Sequence, residues 1–332
     1  PYGGIEIGEI RAGAVDVSKR VTVAMIQTIQ STFSNRCNDL QKKKELEKYF
    51  KELKFLCVDE IHDNSSDSKL KIYKKAKNLE YQLCLSATPY RQEAFLQNLK
   101  LQEWSGDIIY NISQQELREK HVLSDYRVFM LLIDHTQQEL DKDINDYTDY
   151  RRELILKNET RDKILIEVIN FLREMKLKTL VLFQSVEHGR AMSSALNITF
   201  ISGETKGEER EEEKVEFLKK DGGILLASNI FKKGITLPEA SVMINVDGGL
   251  EKANVIQRAG RVLGVTSTKQ KSLIIDFIDL FDAYFSEHSE ARLDTYVKEI
   301  GEDKIGILDT SVNSWIETFK DWTKKWFEIN EE

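Results

Sequence analysis

Short apolar runs, each with the length of a buried strand, recur along the chain. Because they lack regular polar alternation, they are typical of parallel strands covered on both faces. The runs are Val21–Ile26, Phe55–Val58, Tyr81–Leu85, Val128–Ile133, Leu180–Phe183, Ile198–Ile201, Ile224–Ala227, Val242–Val246 and Leu273–Ile278.

Charge-rich stretches of helical length lie between these runs. They are Asp39–Leu53, Ser68–Asn78, Tyr90–Lys100, Asn158–Met175, Glu187–Leu196 and Gly207–Lys220. Alternating strands and helices are typical of open parallel sheets, so the pattern predicts an α/β fold. A chain of 332 residues is long enough for about two such domains.

A polar stretch over residues 113–126 separates two groups of apolar runs. It predicts a domain boundary near Val122. We therefore expect a first domain over residues 1–122, a second over 123–285, and helices over 286–332.

Four aromatic residues near the end of the chain are spaced by four, three and four positions: Trp315, Phe319, Trp322 and Trp326. This spacing predicts one stripe of an amphipathic helix. We expect the stripe to pack on the second domain, and base stacking by exposed aromatics is the alternative. The acidic run Gly207–Lys214 similarly favours a solvated helix face over a binding tract.

Composition excludes several classes of protein. With 41% hydrophobic and 31% charged residues, and no apolar window near the length of a membrane span, the chain reads as globular without membrane segments. Cys37, Cys57 and Cys84 are too scattered for a disulfide scaffold or a zinc ribbon. The net charge of −8 opposes a chain-wide electrostatic grip on phosphates, so any contact with nucleic acid must be local.

Asp59-Glu60-Ile61-His62 directly follows the predicted strand Phe55–Val58. Two adjacent carboxylates at the end of a buried strand cost desolvation energy unless a cation shares the site, which suggests Mg²⁺. Ligands of open α/β sheets bind at the carboxyl ends of strands, so the position suits a nucleotide and its metal. The alternative is a helix N-terminus, which also favours acidic residues.

The next predicted strand, Tyr81–Leu85, ends in Ser86-Ala87-Thr88-Pro89, whose first residue is 27 positions after Asp59. The two motifs together resemble motifs II and III of the superfamily-2 DExH-box helicases and translocases. The alternative for the second motif is an ST-turn that caps the following helix.

Further segments resemble other motifs of that superfamily in its order, from Ile5 to about Phe281. They are Val21–Thr28 for motif Ib, Leu180–Ser185 for motif IV, Ile201–Gly203 for the loop after it, Leu226–Asn229 with Lys233–Pro238 for motif V, and Gln257–Arg261 for motif VI. Within the superfamily, the chain is most similar to the phage UvsW-type and XPB-like branch.

The resemblance implies two RecA-like parallel-sheet domains in tandem, the first incomplete, with ATP and Mg²⁺ as cofactors. The implied catalytic residues are Asp59, Glu60, His62, Gln257 and Arg261, with Asp59 and Glu60 at the metal. The implied nucleotide-binding residues are Ser86, Thr88, Gly234, Thr236 and Arg258. The implied nucleic-acid contacts are Gln27, Thr28, Gln184, Ser185, Gly203, Ser228 and Asn229.

Two departures from the family pattern affect the chemistry. The chain contains no Gly-Lys dipeptide, so it lacks the P-loop whose amides and lysine bind phosphates. We expect that loop to lie upstream of Pro1 and this chain to be inactive alone. Gly264 stands where the motif VI pattern has its final arginine, which leaves Arg261, with Arg258, to meet the γ-phosphate.

The sequence therefore predicts part of an ATP-hydrolysing helicase or translocase that acts on nucleic acid, with DNA favoured over RNA, in recombination, repair or branch migration. Two alternatives remain: a non-catalytic nucleic-acid-binding or regulatory protein of the same fold, and the motor subunit of a restriction or remodelling complex. We expect a cytoplasmic location in a bacterium or phage-infected cell, or a nuclear one in a eukaryote.

Overall fold

The computed structural model describes residues 4–34, 37–64, 66–90, 94–136, 147–228, 237–247, 252–281 and 283–329. The chain divides into two compact units, residues 1–111 and 112–332. Among the described residues, no helix is both long and apolar enough to cross a membrane.

The first unit holds two small sheets and four helices within its described residues. Its elements are β1 (Ile7–Arg11), β2 (Ala14–Val15), β3 (Val21–Ala24), α1 (Ile26–Phe33), α2 (Leu40–Glu52), β4 (Phe55–Val58), α3 (Asp67–Tyr73), β5 (Tyr81–Cys84) and α4 (Phe95–Ser105). One sheet has the order β2-β1-β3, and in the other β4 pairs with β5 in parallel. The two motif-bearing strands are therefore neighbours.

The strands β4 and β5 are not covered on both faces, in contrast to the sequence-based expectation. Phe55 and Tyr81 keep 53% and 69% of their surface exposed. One side of the pair packs through Val58 on Leu70 and Leu101 of nearby helices. In the described part of the chain β5 pairs with β4 alone, so its remaining apolar surface faces outward.

The second unit is built around one large sheet. Its elements are α5 (Gln114–Glu119), β6 (Asp125–Asp134), α6 (Tyr147–Arg151) followed by a π-helical turn (Arg152–Leu156), α7 (Glu159–Glu174), β7 (Thr179–Phe183), α8 (Val186–Leu196), β8 (Phe200–Ile201), α9 (Gly207–Lys219), β9 (Ile224–Ser228), β10 (Val242–Asn245), α10 (Lys252–Ala259), β11 (Lys271–Leu280), α11 (Ala283–Ile300), β12 (Ile305–Asp309) and α12 (Trp315–Phe327). Within the described residues seven strands pair in the order β12-β6-β11-β10-β7-β9-β8, all in parallel. This is the parallel α/β architecture predicted from the apolar runs.

Successive residues of each strand point to opposite faces of the seven-stranded sheet. Helices cover both faces, so both sets of residues are buried. Phe129 and Leu131 of β6 join a core with α7, α8 and α12, while Val128 and Met130 join a second core with α10 and α11. The acidic run lies on α9, whose one fully buried residue is Phe217, so it forms a solvated face as expected.

The boundary between the units falls eleven positions before the expected one at Val122, since α5 belongs to the second unit. The guanidinium of Arg118 on α5 donates to the carbonyl of Glu299, 3.2 Å away, and lies over the ring of Tyr126. The polar stretch over residues 113–126 thus lies entirely in the second unit, and its residue Arg118 contacts other residues of that unit.

The C-terminal segment is not purely helical, because it also supplies the edge strand β12 beside β6. The aromatic stripe of α12 packs on the sheet: Phe319 is fully buried, and its ring centroid lies 5.9 Å from that of Phe129. Trp326 donates its indole N–H to the carbonyl of Ser272 at 2.9 Å. The packing interpretation of the stripe is therefore confirmed.

Gly306 in β12 should be essential for this packing. A Cβ atom at this position would lie 2.4 Å from the ring of Trp322. We expect Gly306→Val to lower the free energy of unfolding of the second unit by about 1–3 kcal/mol through overpacking, measured by urea denaturation. Gly207→Ala, which meets no atom within 4 Å, is the control. Equal stability of the two variants would contradict the prediction.

Candidate nucleotide and nucleic-acid site

The residues of motifs II and III meet at the carboxyl ends of β4 and β5. The imidazole Nδ1 of His62 lies 2.8 Å from the hydroxyl of Ser86 and 3.2 Å from a carboxylate oxygen of Glu60. The same hydroxyl accepts the backbone N–H of Thr88 at 3.1 Å. The structure thus joins His62, Ser86 and Thr88 into one hydrogen-bonded group and places the Glu60 carboxylate beside it.

The backbone of Glu60 has an unusual conformation, with φ of +48°. A non-glycine residue in this left-handed region is strained by about 1–2 kcal/mol, and such strain is common at functional sites. Asn64 donates to the carbonyl of Glu60 at 3.0 Å and accepts the hydroxyl of Tyr73 at 3.0 Å. The sequence analysis did not single out Asn64 or Tyr73. The one signal in the sequence was an asparagine four residues after Glu60.

Asp59 and Glu60 fit a magnesium ion that arrives with its nucleotide. The side chain of Asp59 is exposed and accepts the Glu60 N–H at 2.9 Å through one oxygen, which leaves the other available. The described residues contain no cluster of three or more candidate metal ligands. Because Mg²⁺ in nucleotide sites takes one or two carboxylates and fills its shell with phosphate and water, this donor set is sufficient.

Thr88 is the second nucleotide-binding candidate in this unit. Its hydroxyl oxygen is shielded from solvent and has no hydrogen-bond partner among the described residues. The hydroxyl of Ser86, in contrast, is already engaged by His62 and by the Thr88 amide.

The motif Ib candidates differ in their exposure. Gln27 lies on the surface of α1, whereas Thr28 is buried and its carbonyl accepts the hydroxyl of Thr32 at 2.9 Å. Of the pair, only Gln27 presents its side chain to solvent.

The nucleic-acid candidates of the second unit lie at the carboxyl ends of neighbouring strands. Gln184 and Ser185 follow β7, Ser228 ends β9 with 5% of its surface exposed, and Gly203 is exposed after β8. The hydroxyl of Ser185 caps α8 by accepting the backbone N–H of His188 at 3.2 Å. Asn229, Gly234 and Thr236 lie outside the described residues.

Motif VI lies on α10 and the turn after it. The side chain of Gln257 lies outside the described residues, whereas Arg258 is 5% exposed and donates to the side-chain oxygen of Asn245. Burial lowers the pKa of Arg258, and Asp276 on β11 accepts from Asn245 at 2.9 Å. Arg258 therefore anchors α10 to the sheet. The half-buried Arg261 follows α10, and its carbonyl accepts the N–H of Leu237 at 2.8 Å.

A buried lysine connects the ends of motifs V and VI. The ammonium group of Lys269 donates to the carbonyls of Pro238 at 2.8 Å, of Gly264 at 3.0 Å, and of Val262. Burial lowers the pKa of Lys269 to about 7, although the negative charge of Glu239 favours the charged form of the lysine. Gly264 faces Pro238 so closely that a Cβ atom would lie 2.9 Å from the proline ring.

Comparison with known proteins finds similarity to helicases. Residues 160–264 match the family model of the helicase conserved C-terminal domain. The chain is 23% identical over 245 residues to a candidate helicase of the Sulfolobus islandicus filamentous virus, covering 69% of this chain and 43% of that protein. It is 25% identical over 260 residues to the DNA 3'-5' translocase XPB2 of Sulfurisphaera tokodaii, covering 67% and 58%.

Among solved structures, S. cerevisiae Dbp5 bound to RNA and ADP BeF3 resembles the chain with a TM-score of 0.60 and 15% identity, over 97% of this chain and 74% of that one. This likeness concerns the fold. The chain spans about half the length of the curated relatives it matches. Residues 160–264 are therefore similar to the helicase conserved C-terminal domain, and the chain as a whole is similar to helicases and to a DNA translocase.

Proposed function

We propose that this chain is part of a DExH-box motor of the superfamily-2 helicases, which uses ATP hydrolysis to move along or separate DNA in recombination, repair or branch migration. One observation carries the proposal. A helicase C-terminal domain over residues 160–264 follows, on the same chain, a DExH turn and a SATP turn joined by the contact between His62 and Ser86.

Each residue of the DExH group has a distinct chemical task in this proposal. Asp59 holds the magnesium ion of ATP, which when bound neutralises charge on the β- and γ-phosphates. Glu60, fixed by its strained backbone, orients and polarises the attacking water. His62 and Ser86 transmit the state of this site to the SATP turn. Arg261 supplies positive charge for the γ-phosphate.

The choice of DNA rests on the sequence relative that is a DNA translocase. The proposed contacts to the strand are few and polar, from side chains such as Gln27 and Gln184. Phosphate contacts of this kind position a strand without reading its sequence. They are compatible with the net charge of −8, because they need no broad basic surface.

The chain should bind single-stranded DNA weakly, with an affinity that falls as salt rises. Each phosphate that a lysine or arginine neutralises releases counterions, so the logarithm of the affinity should fall by about 0.7 per such contact for each tenfold rise in salt. Fluorescence anisotropy with a labelled oligonucleotide measures the affinity. Gln184→Ala should weaken binding, and Gln115→Ala on the exposed face of α5 is the control.

Absence of binding at low salt would refute the proposed function. Binding that does not change with salt would instead indicate base stacking. Tighter binding of RNA than of DNA of the same sequence would contradict the proposal that DNA is the substrate.

A further inference from the structure

The turn that follows β7 is held from inside the protein by one carboxylate. A single oxygen of Asp247 accepts the backbone N–H groups of Gln184 at 2.6 Å and of Ser185 at 2.8 Å. The side chain of Asp247 is completely buried. Both amides of the turn are thus committed to Asp247, so a strand that approaches here must meet the side chains.

The other oxygen of Asp247 contacts His188 on α8. The two nitrogens of this imidazole each face a carboxylate: Nδ1 lies 3.1 Å from Asp247 and Nε2 lies 2.8 Å from Asp162 on α7. A neutral imidazole can donate only one hydrogen bond, whereas the imidazolium donates two. Burial opposes the charge, but the two hydrogen-bonded carboxylates outweigh it and raise the pKa of His188 to about 9.

Other charged groups also face this cluster. The guanidinium of Arg151 lies 3.8 Å from the turn-binding oxygen of Asp247 and 3.5 Å from the side-chain oxygen of Gln184. Arg161 on α7 lowers the pKa of Asp247 from a greater distance, and the charge on His188 does so directly. The positive groups keep Asp247 ionised, so the titrating member of the cluster near neutral and alkaline pH is His188.

We propose that Asp247 and His188 are positioning residues that fix the Gln184–Ser185 turn in the conformation that binds a nucleic-acid strand. This inference rests on the proposed function, because only that function supplies a nucleic-acid strand for the Gln184–Ser185 turn to bind. Buried charges are expensive, and apolar residues could have filled the same space at lower cost. The carboxylate is needed here because two adjacent backbone amides at a strand end must both be satisfied.

The arrangement makes a pH dependence that packing alone would not produce. When His188 loses its proton, the neutral imidazole can donate only one hydrogen bond to the two carboxylates. The interaction between His188 and Asp247 therefore weakens. Strand affinity should therefore be constant below a midpoint near pH 9 and fall above it. Asp162→Asn removes one of the carboxylates that favour the charged imidazole, so it should move the midpoint down by about one pH unit or more.

The experiment measures the affinity of the full chain for a labelled single-stranded oligonucleotide from about pH 6 to about pH 10. Asp162 has 26% of its side chain exposed, so its conservative replacement should fold. Glu159→Gln, on the same helix and 88% exposed, removes an equal charge away from His188 and should keep the wild-type midpoint. The backbone amide NMR signals of Gln184 and Ser185 should titrate with the same midpoint as binding.

Equal midpoints for wild type and Asp162→Asn, in binding or in the amide signals, would overturn the proposal. The amide signals separate it from the proposed function. If they titrate as expected but no strand binds at any pH, the turn is held as described, and both the strand-positioning role and the nucleic-acid function are wrong.

Discussion

Arg161→Met should destabilise the second unit by about 3–5 kcal/mol, because it leaves a buried charge without its partner. Arg161 is fully buried, and its guanidinium lies 3.1 Å from one oxygen of Asp279 and 3.4 Å from the other. It also donates to the carbonyl of Val246 and lies 4.1 Å from the ring centroid of Phe277. Urea denaturation followed by circular dichroism measures the loss.

The loss should depend on pH in a defined direction. Burial alone would raise the pKa of Asp279, but Arg161 and His135 hold it well below its ordinary value. The stability that Asp279 contributes is therefore present above the ordinary aspartate pKa and disappears as the pH falls through the folded-state pKa. In Arg161→Met the carboxyl of Asp279 keeps, among the described residues, only His135 as a side-chain partner and therefore protonates more readily. The difference in the free energy of unfolding between wild type and Arg161→Met should be largest at neutral pH and should decrease as the pH falls.

The matched control for this prediction is Arg173→Met, since Arg173 lies on the same helix and is exposed. It should change the free energy of unfolding by no more than about 0.5 kcal/mol. A similarly small effect of Arg161→Met at neutral pH would show that Asp279 is satisfied without its arginine.

Glu60→Gln should lower ATP hydrolysis by about 10²–10⁴-fold in a longer protein that joins this chain to a phosphate-binding loop. The substitution keeps the size of the side chain but removes the carboxylate that polarises water, so ATP binding should persist. The chain alone should show no nucleic-acid-stimulated turnover, because no Gly-Lys pair is present to bind phosphates. A phosphate-release assay and nucleotide binding by calorimetry measure the two effects separately.

Glu103→Gln on the exposed part of α4 serves as the control for Glu60→Gln. Turnover by the chain alone that is lost in Glu60→Gln would contradict the expected need for a further loop. A longer protein that binds strands but never hydrolyses ATP would favour the non-catalytic alternative. Activity that appears only within a larger assembly would favour the motor subunit of a restriction or remodelling complex.

Six of the seven described strands of the second unit were predictable, because each lies on an apolar run with at most one polar residue. The run Leu180–Phe183 became β7 at Thr179–Phe183, and Ile224–Ala227 became β9 at Ile224–Ser228. The edge strand β12 was missed, since Gly306 and the exposed Ile307 do not form such a run. Its stability comes from pairing with β6 and from the tryptophans of α12, which lie elsewhere in the sequence.

Contacts among the candidate site residues could be expected only where their motifs follow strands that are successive in the sequence and adjacent in the sheet. The contact between His62 and Ser86 follows from two motifs on adjacent strands. The burial of Arg258 against Asn245 was not predictable, because its motif gives no indication of which way the side chain turns. The contact of Asp247 with Gln184 joins residues 63 positions apart, and local patterns carry no information about it.

The contact between Gly264 and Pro238 also restricts the paths by which this sequence can evolve. Any side chain at position 264 would collide with the proline ring, and the carbonyls of both residues are bound by the same lysine. An arginine at 264 and a proline at 238 are therefore in conflict, so the effect of one depends on the other. A side chain at position 264 should therefore cost less stability when position 238 carries a residue smaller than proline, so the two positions are expected to change together.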